Sequence, residues 1–401
     1  MEVVSRVRVT GPLAPYAGGL ADELARLGFT QSSARYQLGL AAHLSRWLDA
    51  GGLGAADLTA PAAEAFLAAR RAAGYSRLLT PKALTPLLDY LRGLGVAPRV
   101  QVLAPMIPAE ELLERYCRWL LAERGLRPRV ARGYVASVRP FVTAHGGGGE
   151  AGLRALDAGD VIGFMVAESR RLAPKTVQRL ATALRSLLRF WHLEGLITGP
   201  LDQAVPKAAC RPRYLPRALE PAQVQALLAS CDLVTPEGLR DFAMMTLLAR
   251  IGLRAGEVAA LQLDDIDWRH GEITVRGKGN RRDRLPLPAD AGQAVADYLA
   301  HGRPATALDR SVFIRIRAPH RGLTFTGVTQ AVFAAGQRAG LGTIYAHRLR
   351  HSAATSMLAA GAPLEEIGQV LRHRRLLTTA AYTKVDIEAL RSLARPWPGA
   401  S

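Results

Sequence analysis

Apolar residues recur every three to four positions through the first two hundred residues, and that spacing predicts helices rather than strands. In SARYQLGLAAHLSRWLDA, Tyr36, Leu40, Leu44 and Trp47 fall at helical intervals. PAAEAFLAARRAAG follows as a second helix that stops at Gly74. TPKALTPLLDYLRGLG predicts another, with Thr80 as N-cap and Pro81, whose missing N–H costs nothing there, at its first position.

The same order of elements then recurs. AEELLERYCRWLLAERG opens a second helical set, and RVARGYVASVRPFVTAHG corresponds to the Tyr36 helix, with Tyr134 in the place of Tyr36. DAGDVIGFMVAESRR corresponds to TAPAAEAFLAARRA. APKTVQRLATALRSLLRFWHLEGL corresponds to TPKALTPLLDYLRGLGV, with Pro174 and Lys175 echoing Pro81 and Lys82. The shift is roughly 100 residues, and the last helix of the second copy is longer by about two turns. Two tandem helical domains are therefore expected, over 1–104 and 105–196.

ITGPLDQAVPKAACRPRYLPRALEP breaks the pattern with crowded prolines and no apolar period, which marks a linker over 197–217. Lys207, Arg211, Arg213 and Arg217 make it basic, fit either to track a phosphate backbone or to serve as a solvated tether. A third domain, 218–401, begins with the helical PAQVQALLASC and PEGLRDFAMMTLLARIGLRAGEVAAL. The period then changes. Ile266 and Trp268 point to one short strand, Glu272 to Val275 to a second, and DRLPLP to a third after a GKGN turn. Helical spacing returns in ADAGQAVADYLAHG, FTGVTQAVFAAGQRAG, AHRLRHSAATSMLAAG, PLEEIGQVLRH and LLTTAAYTKV. The fold class expected is mainly α: two tandem helical domains, then a mixed helical domain with one small antiparallel sheet.

Composition narrows the partner. With 401 residues and 49% hydrophobic content the chain can bury several cores. Lys and Arg number 52 against 34 Asp and Glu, and the excess of +18 is spread along a folded chain, which favours nucleic acid over membrane as partner. High Ala, Gly, Arg and Leu content points to GC-rich coding, so arginine counts alone decide little. Cys117, Cys210 and Cys231 are widely spaced and form no CxxC pair, which indicates neither a disulfide framework nor a cysteine zinc site and fits a reducing cytoplasm. No signal-peptide core and no run long enough to span a membrane is seen.

The chemistry gathers in the last domain. AHRLRHSAAT places two His and two Arg at a helix start, where the macrodipole is already positive, so the cluster is costly unless an anion offsets it. His347 and Arg350 are three apart and His351 is four from His347, so the three approach one face; Arg348 projects elsewhere. Arg254 lies in ARIGLRAGEVAAL with Glu257 three residues on, placed to hold an arginine or a helix N-terminus. Lys278 sits between Gly277 and Gly279 in a turn where a ligand can approach the backbone. In VLRHRRLLTTAAYTKV, Tyr382 follows His373 by nine positions.

These residue types in this order resemble the tyrosine recombinase, or phage integrase, family. GLRAGE, GKGNRRDRLPLP, HRLRHSAAT and LRHRRLLTTAAYTKV carry the resemblance, which covers Pro221 to about Asp386, and the second helical set is similar to that family's core-binding, SAM-like domain. The resemblance implies a site-specific DNA recombinase that works through a covalent 3′-phosphotyrosine intermediate, as a phage, transposon or other mobile-element enzyme or a chromosomal one. Tyr382 would be the nucleophile, and Arg254 and Arg350 would hold charge on the five-coordinate phosphorus. His347 would be a general base or a phosphate hydrogen-bond donor, Lys278 the general acid for the departing 5′-oxygen, and His373 a further donor. Glu257 and His351 would give structural support. Lys175, Arg179, Lys207, Arg211, Arg213, Arg281 and Arg282 would contact DNA. No metal or other cofactor is expected. The partners expected are double-stranded DNA and further copies of the chain, in a tetrameric synaptic complex with the tail around Ile387, Leu390 and Leu393 exchanged between protomers. Such an enzyme would be cytoplasmic, in a bacterium, and nucleoid-associated.

Two departures stand out. The family usually has glycine before its second His, where this chain has Arg372. In place of a small arm-binding module the first hundred residues carry the extra helical set, whose Arg35, Arg46, Arg70, Arg71, Arg77 and Lys82 are expected on the surface, available to phosphate. Other readings are a type IB topoisomerase, which has no use for the apolar tail, a degenerate DNA-binding relative, and a zinc site on His347, His351 and His373. The last lacks the Glu that metalloproteases place after the first His.

Overall fold

The computed structural model describes residues 7–98, 108–146, 149–207, 218–277, 282–307 and 309–372. They fall into two compact units, one within residues 101–213 and one within residues 1–100 and 214–401.

Helices α1 (Ala17–Arg26), α2 (Gln31–Ala50), α3 (Ala60–Ala72) and α4 (Pro81–Gly93) enclose a leucine core that includes Leu24, Leu44, Leu67, Leu84 and Leu91. Thr30 and Thr59 cap α2 and α3 by accepting hydrogen bonds from Ser33 N and Ala62 N. Thr80 stands at the cap of α4 but its side chain makes no cap bond; the first turn is closed by its carbonyl, which accepts from Ala83 N at 2.8 Å. Two expectations change here. Tyr36 is 59% exposed, so the core face of α2 runs through Leu40 and Leu44 without it. Arg70 is buried rather than on the surface: its guanidinium lies 4.1 Å from the centre of the Tyr75 ring and donates to the Arg77 carbonyl. Stacking on an aromatic face suits a weakly hydrated guanidinium.

The second unit is built from α5 (Pro108–Ala122), α6 (Pro128–His145), the short α7 (Gly149–Arg154), α8 (Ala158–Arg171) and α9 (Pro174–Leu193). Helix α9 has 20 residues against 13 for α4. Tyr116, Phe141, Phe190 and Trp191 fill the core, and the Tyr116 hydroxyl donates to the Ala183 carbonyl. Tyr134 packs against this core, unlike Tyr36 in the corresponding place.

From 218 onward, α10 (Pro221–Ala229) leads into α11 (Pro236–Arg250), whose Ala243, Met244, Met245, Leu247 and Leu248 lie at the centre of the largest core. After α12 (Ala255–Ala260) comes a three-stranded antiparallel sheet, β1 (Ile266–Asp267), β2 (Glu272–Arg276) and β3 (Arg282–Pro286), in that order. Ile273 and Val275 alternate inward, as half-buried strands require. Pro286 is tolerated because β3 is an edge. Strand β1 stops before Trp268, which is half exposed, because Asp267 Oδ1 accepts from Arg269 N and His270 N at 3.1 Å and turns the chain. Helices α13 (Ala289–Asp297), α14 (Phe325–Arg338), α15 (Ala346–Ala359) and α16 (Leu364–Val370) complete the described part. No helix among the described residues is long and apolar enough to cross a membrane.

Cys231 follows α10, is buried, and burial pushes its thiol up to about 11. The thiolate is the reactive form, so peptide mapping after treatment with a thiol reagent near neutral pH should find Cys231 unlabelled in the folded protein and labelled after denaturation. Prompt labelling under native conditions would contradict its placement.

Candidate active site

The candidate site is assembled from three chain segments: the α11–α12 connection, the start of α15, and the end of α16. Gly252 lies in the first with φ +61°. Its positive φ favours glycine, and a Cβ there would come within 2.5 Å of the end of the Leu371 side chain, which would have to shift. The Gly252 carbonyl accepts a hydrogen bond from Arg350 Nη1, and that of Leu371 accepts one from Arg350 Nη2. Arg350 is 1% exposed and ties all three segments together.

His347 and Arg350, three apart on α15, differ in exposure. The buried stripe of α15 runs through Ala346, Leu349, Arg350, Ala353 and Ala354, and Arg350 belongs to it; His347 is exposed at the margin. The rings of His347 and His351 meet edge to face at 4.2 Å between centroids. Ser352, which the sequence reading passed over, accepts from Leu219 N at 2.7 Å and fixes the chain's entry into this domain against α15.

Arg254 occupies the N-cap position of α12. Its backbone N–H donates to Glu257 Oε2 and its Nη1 to Glu257 Oε1, both at 2.7 Å. The Glu257 side chain is 7% exposed and that of Arg254 45%. The carboxylate therefore does both things its spacing predicted, holding an arginine and closing a helix start. It also takes Nη2 of Arg372 at 2.6 Å, a contact the sequence reading missed. The one available signal was the departure from glycine at that position. Arg372 has φ +54°, so its backbone adopts the left-handed conformation that glycine adopts readily.

The hairpin supplies a second positive region. Arg276 and Arg282 are directly paired across β2 and β3, a like-charge juxtaposition that is unfavourable without an anion. Arg276 is held by the buried Asp265 at 2.9 Å, which leaves Arg282 exposed. In the second unit, Lys175 and Arg179 are exposed one turn apart at the start of α9. Lys207 is exposed in a groove that Gln178, Thr182 and Arg185 also line. Lys278, Arg281, Arg211, Arg213, His373 and Tyr382 lie outside the described residues.

Two family models match the chain: the phage integrase family over residues 217–388, and its N-terminal SAM-like domain over residues 113–195. A protein of Sinorhizobium fredii named as integrase/recombinase y4rA is 41% identical over 97% of this chain and 95% of its own. The tyrosine recombinase XerD of Listeria monocytogenes is 33% identical over 69% of this chain and 94% of its own. Among solved structures, XerH recombinase bound to a palindromic difH substrate superposes with TM-score 0.56 at 18% identity, covering 84% of this chain and 95% of that one. A lambda integrase dimer on a core site gives 0.54 at 16%, covering 68% and 94%. These two likenesses show the fold alone. The y4rA match runs through the first helical set as well, and the first family match contains Arg254, Glu257, Arg350 and Arg372 together. The chain belongs to the phage integrase family of tyrosine recombinases.

Proposed function

We propose that this chain cuts and rejoins DNA at specific sites through a covalent bond between Tyr382 and a 3′-phosphate. The Tyr382 oxygen attacks the phosphorus, the bond from phosphorus to the 5′-oxygen breaks, and the phosphate stays on the enzyme. His347 takes or shares the phenolic proton and Lys278 protonates the leaving oxygen. A second DNA end carrying a free 5′-hydroxyl reverses each step. No bond energy is lost, because one phosphodiester is exchanged for another.

The observation that carries this reading is the pair of arginines on one platform. Arg254 is half exposed and anchored by one nitrogen only, so among the described residues its Nε and Nη2 donate to nothing and can turn to a phosphate. Arg350 is buried, a guanidinium held in place by the carbonyls of Gly252, two residues before Arg254, and Leu371. A fixed positive charge in a low-dielectric setting needs no reorganisation as charge builds on the five-coordinate phosphorus. Glu257 orders Arg254 at the site before DNA binds, and the guanidinium is released to the phosphate when it arrives. His373 would add a further hydrogen bond, and His351, stacked edge to face on His347, would hold that ring.

DNA contact is assigned to Lys175, Arg179 and Lys207 in the second unit, to Arg211 and Arg213 of the linker, and to Arg281 and Arg282 of the hairpin. The domains are read as 1–104, 105–196 and 218–401, joined over 197–217. Solved relatives include a lambda integrase dimer on a core site and a tetramer on a Holliday junction. By that likeness four protomers on two sites are proposed here, with the tail around Ile387, Leu390 and Leu393 passed to a neighbour. A cytoplasmic, nucleoid-associated location in a bacterium is proposed with this reading.

The decisive experiment is to express the protein in its host, trap the protein–DNA adduct by denaturation, and sequence the attached strand. A discrete site joined through its 3′-phosphate is expected; recovery of no adduct would reject the reading. Binding to the recovered site should fall by about 10³-fold between 50 and 200 mM salt if on the order of six phosphates are neutralised. A flat response in a filter-binding or fluorescence titration would contradict a basic clamp.

A further inference from the structure

Arg372 is an arginine in a backbone conformation that favours glycine. Among the described non-glycine residues, only Leu78 shares its positive φ. Strained positions persist where the surroundings hold them, so the side chain is the place to look. It is folded inward and 7% exposed. Nη2 donates to Glu257 Oε2 at 2.6 Å, Nη1 to the Val370 carbonyl at 3.2 Å, and Nε is buried with no hydrogen-bond partner among the described residues. Burial pulls this guanidinium below its ordinary value, and Glu257 opposes that pull. Two arginines thus share one buried carboxylate. They differ in freedom: Arg254 is 45% exposed and able to turn outward, whereas Arg372 is enclosed and fixed.

We propose that Arg372 is a positioning residue for strand cleavage, keeping the Glu257 carboxylate neutralised while Arg254 leaves it for the DNA phosphate. The proposal rests on the reading that Arg254 binds the scissile phosphate. Its logic is electrostatic. A buried carboxylate stripped of its last cation is strongly unfavourable, because desolvation is no longer offset by a partner. With Arg254 as sole cation, the same ion pair that orders it would also hold it back. With Arg372 in place, Glu257 keeps one guanidinium whichever way Arg254 points. Arg372 also repels Arg254 at close range, which favours the outward position once an anion is present to receive it.

The test uses the full-length protein and a nicked duplex bearing the recovered site, on which the covalent adduct accumulates. Adduct formation at saturating DNA, DNA affinity and thermal unfolding are measured for Arg372→Gly, Arg372→Lys, Glu257→Gln and the Arg372→Gly/Glu257→Gln double variant. Arg372→Gly removes the charge and suits the backbone, so a purely conformational role predicts a wild-type rate. The proposal instead predicts a rate lower by roughly 10- to 100-fold, with DNA affinity changed by no more than about twofold. Arg372→Lys should recover most of the loss. Glu257→Gln, which removes the charge that holds Arg254 back, should raise the rate of Arg372→Gly by at least about fivefold, a coupling that loss of packing would not produce. If Arg372→Gly unfolds, Arg372→Gln is compared with Arg372→Gln/Glu257→Gln, and the same rescue is required. A wild-type rate in Arg372→Gly, or no rescue in a folded pair, overturns the proposal. If wild-type protein forms no adduct, or Arg254→Ala forms it at the wild-type rate, the underlying reading has failed instead.

Discussion

Tyr382→Phe binds the recombination site with unchanged affinity and forms no covalent adduct. The substitution removes one oxygen and leaves the ring, so contacts that depend on the basic surfaces and the two arginines persist. What disappears is the atom that takes over the phosphorus. Phenolic oxygen is a poor nucleophile at neutral pH, since its proton leaves only near pH 10, about three units higher. The same basicity makes it a competent leaving group when the second strand arrives, which suits a reaction that must run in both directions. Loss of the nucleophile should lower adduct formation by at least about 10⁴-fold, below detection on a denaturing gel. Gel-shift affinity and adduct yield should therefore separate completely. A persistent adduct in this variant would assign the chemistry to another residue, and a parallel loss of affinity would assign Tyr382 to binding rather than to the reaction.

What the sequence made legible follows from how far apart the cooperating residues lie. Helices and the hairpin were readable because periodicity and turn chemistry are local. Glu257 was readable as a holder of Arg254 because three-residue spacing on a helix start leaves few other geometries. Arg350 was assigned to the phosphate by the family resemblance, yet its burial was written in a local pattern, the stripe of Ala346, Leu349, Ala353 and Ala354 around it. Arg70 was misplaced on the surface because a basic residue late in an amphipathic helix ordinarily faces solvent; stacking on Tyr75 depends on the turn that brings the ring back. The Glu257–Arg372 pair joins residues 115 apart, and no local rule connects them. Only the tertiary fold, with Gly252 letting α16 approach, reveals that the residue standing in for glycine shares a carboxylate with Arg254. Lys278, His373 and Tyr382 remain assignments made from motif and chemistry.

The two platform arginines should part company when each is replaced. Arg254→Ala removes a half-exposed side chain that makes one ion pair, with a buried carboxylate that keeps other partners, so the loss should be about 1 kcal/mol. Glu257 still accepts from the residue 254 backbone N–H and from Arg372, so no buried charge is stranded. Thermal unfolding should move by a few degrees at most, while adduct formation falls by about 10²- to 10³-fold through loss of a charge donor at the phosphorus. Arg350→Ala has a different profile. It empties a fully enclosed volume and leaves the carbonyls of Gly252 and Leu371 without their donor, a cavity and two unsatisfied acceptors at once. Together these cost roughly 3 kcal/mol or more, enough to lower the melting temperature by on the order of 10 °C, in addition to a loss of activity at least as large. Arg350→Lys should not restore stability, because a single ammonium nitrogen does not replace the two nitrogens of a planar fork that serve the two carbonyls separately. Calorimetry and single-turnover adduct formation on the same preparations separate the cases. Equal melting temperatures for the two alanine variants would mean that Arg350 is not the tie between the α11–α12 connection, α15 and α16, and its role would then reduce to that of Arg254.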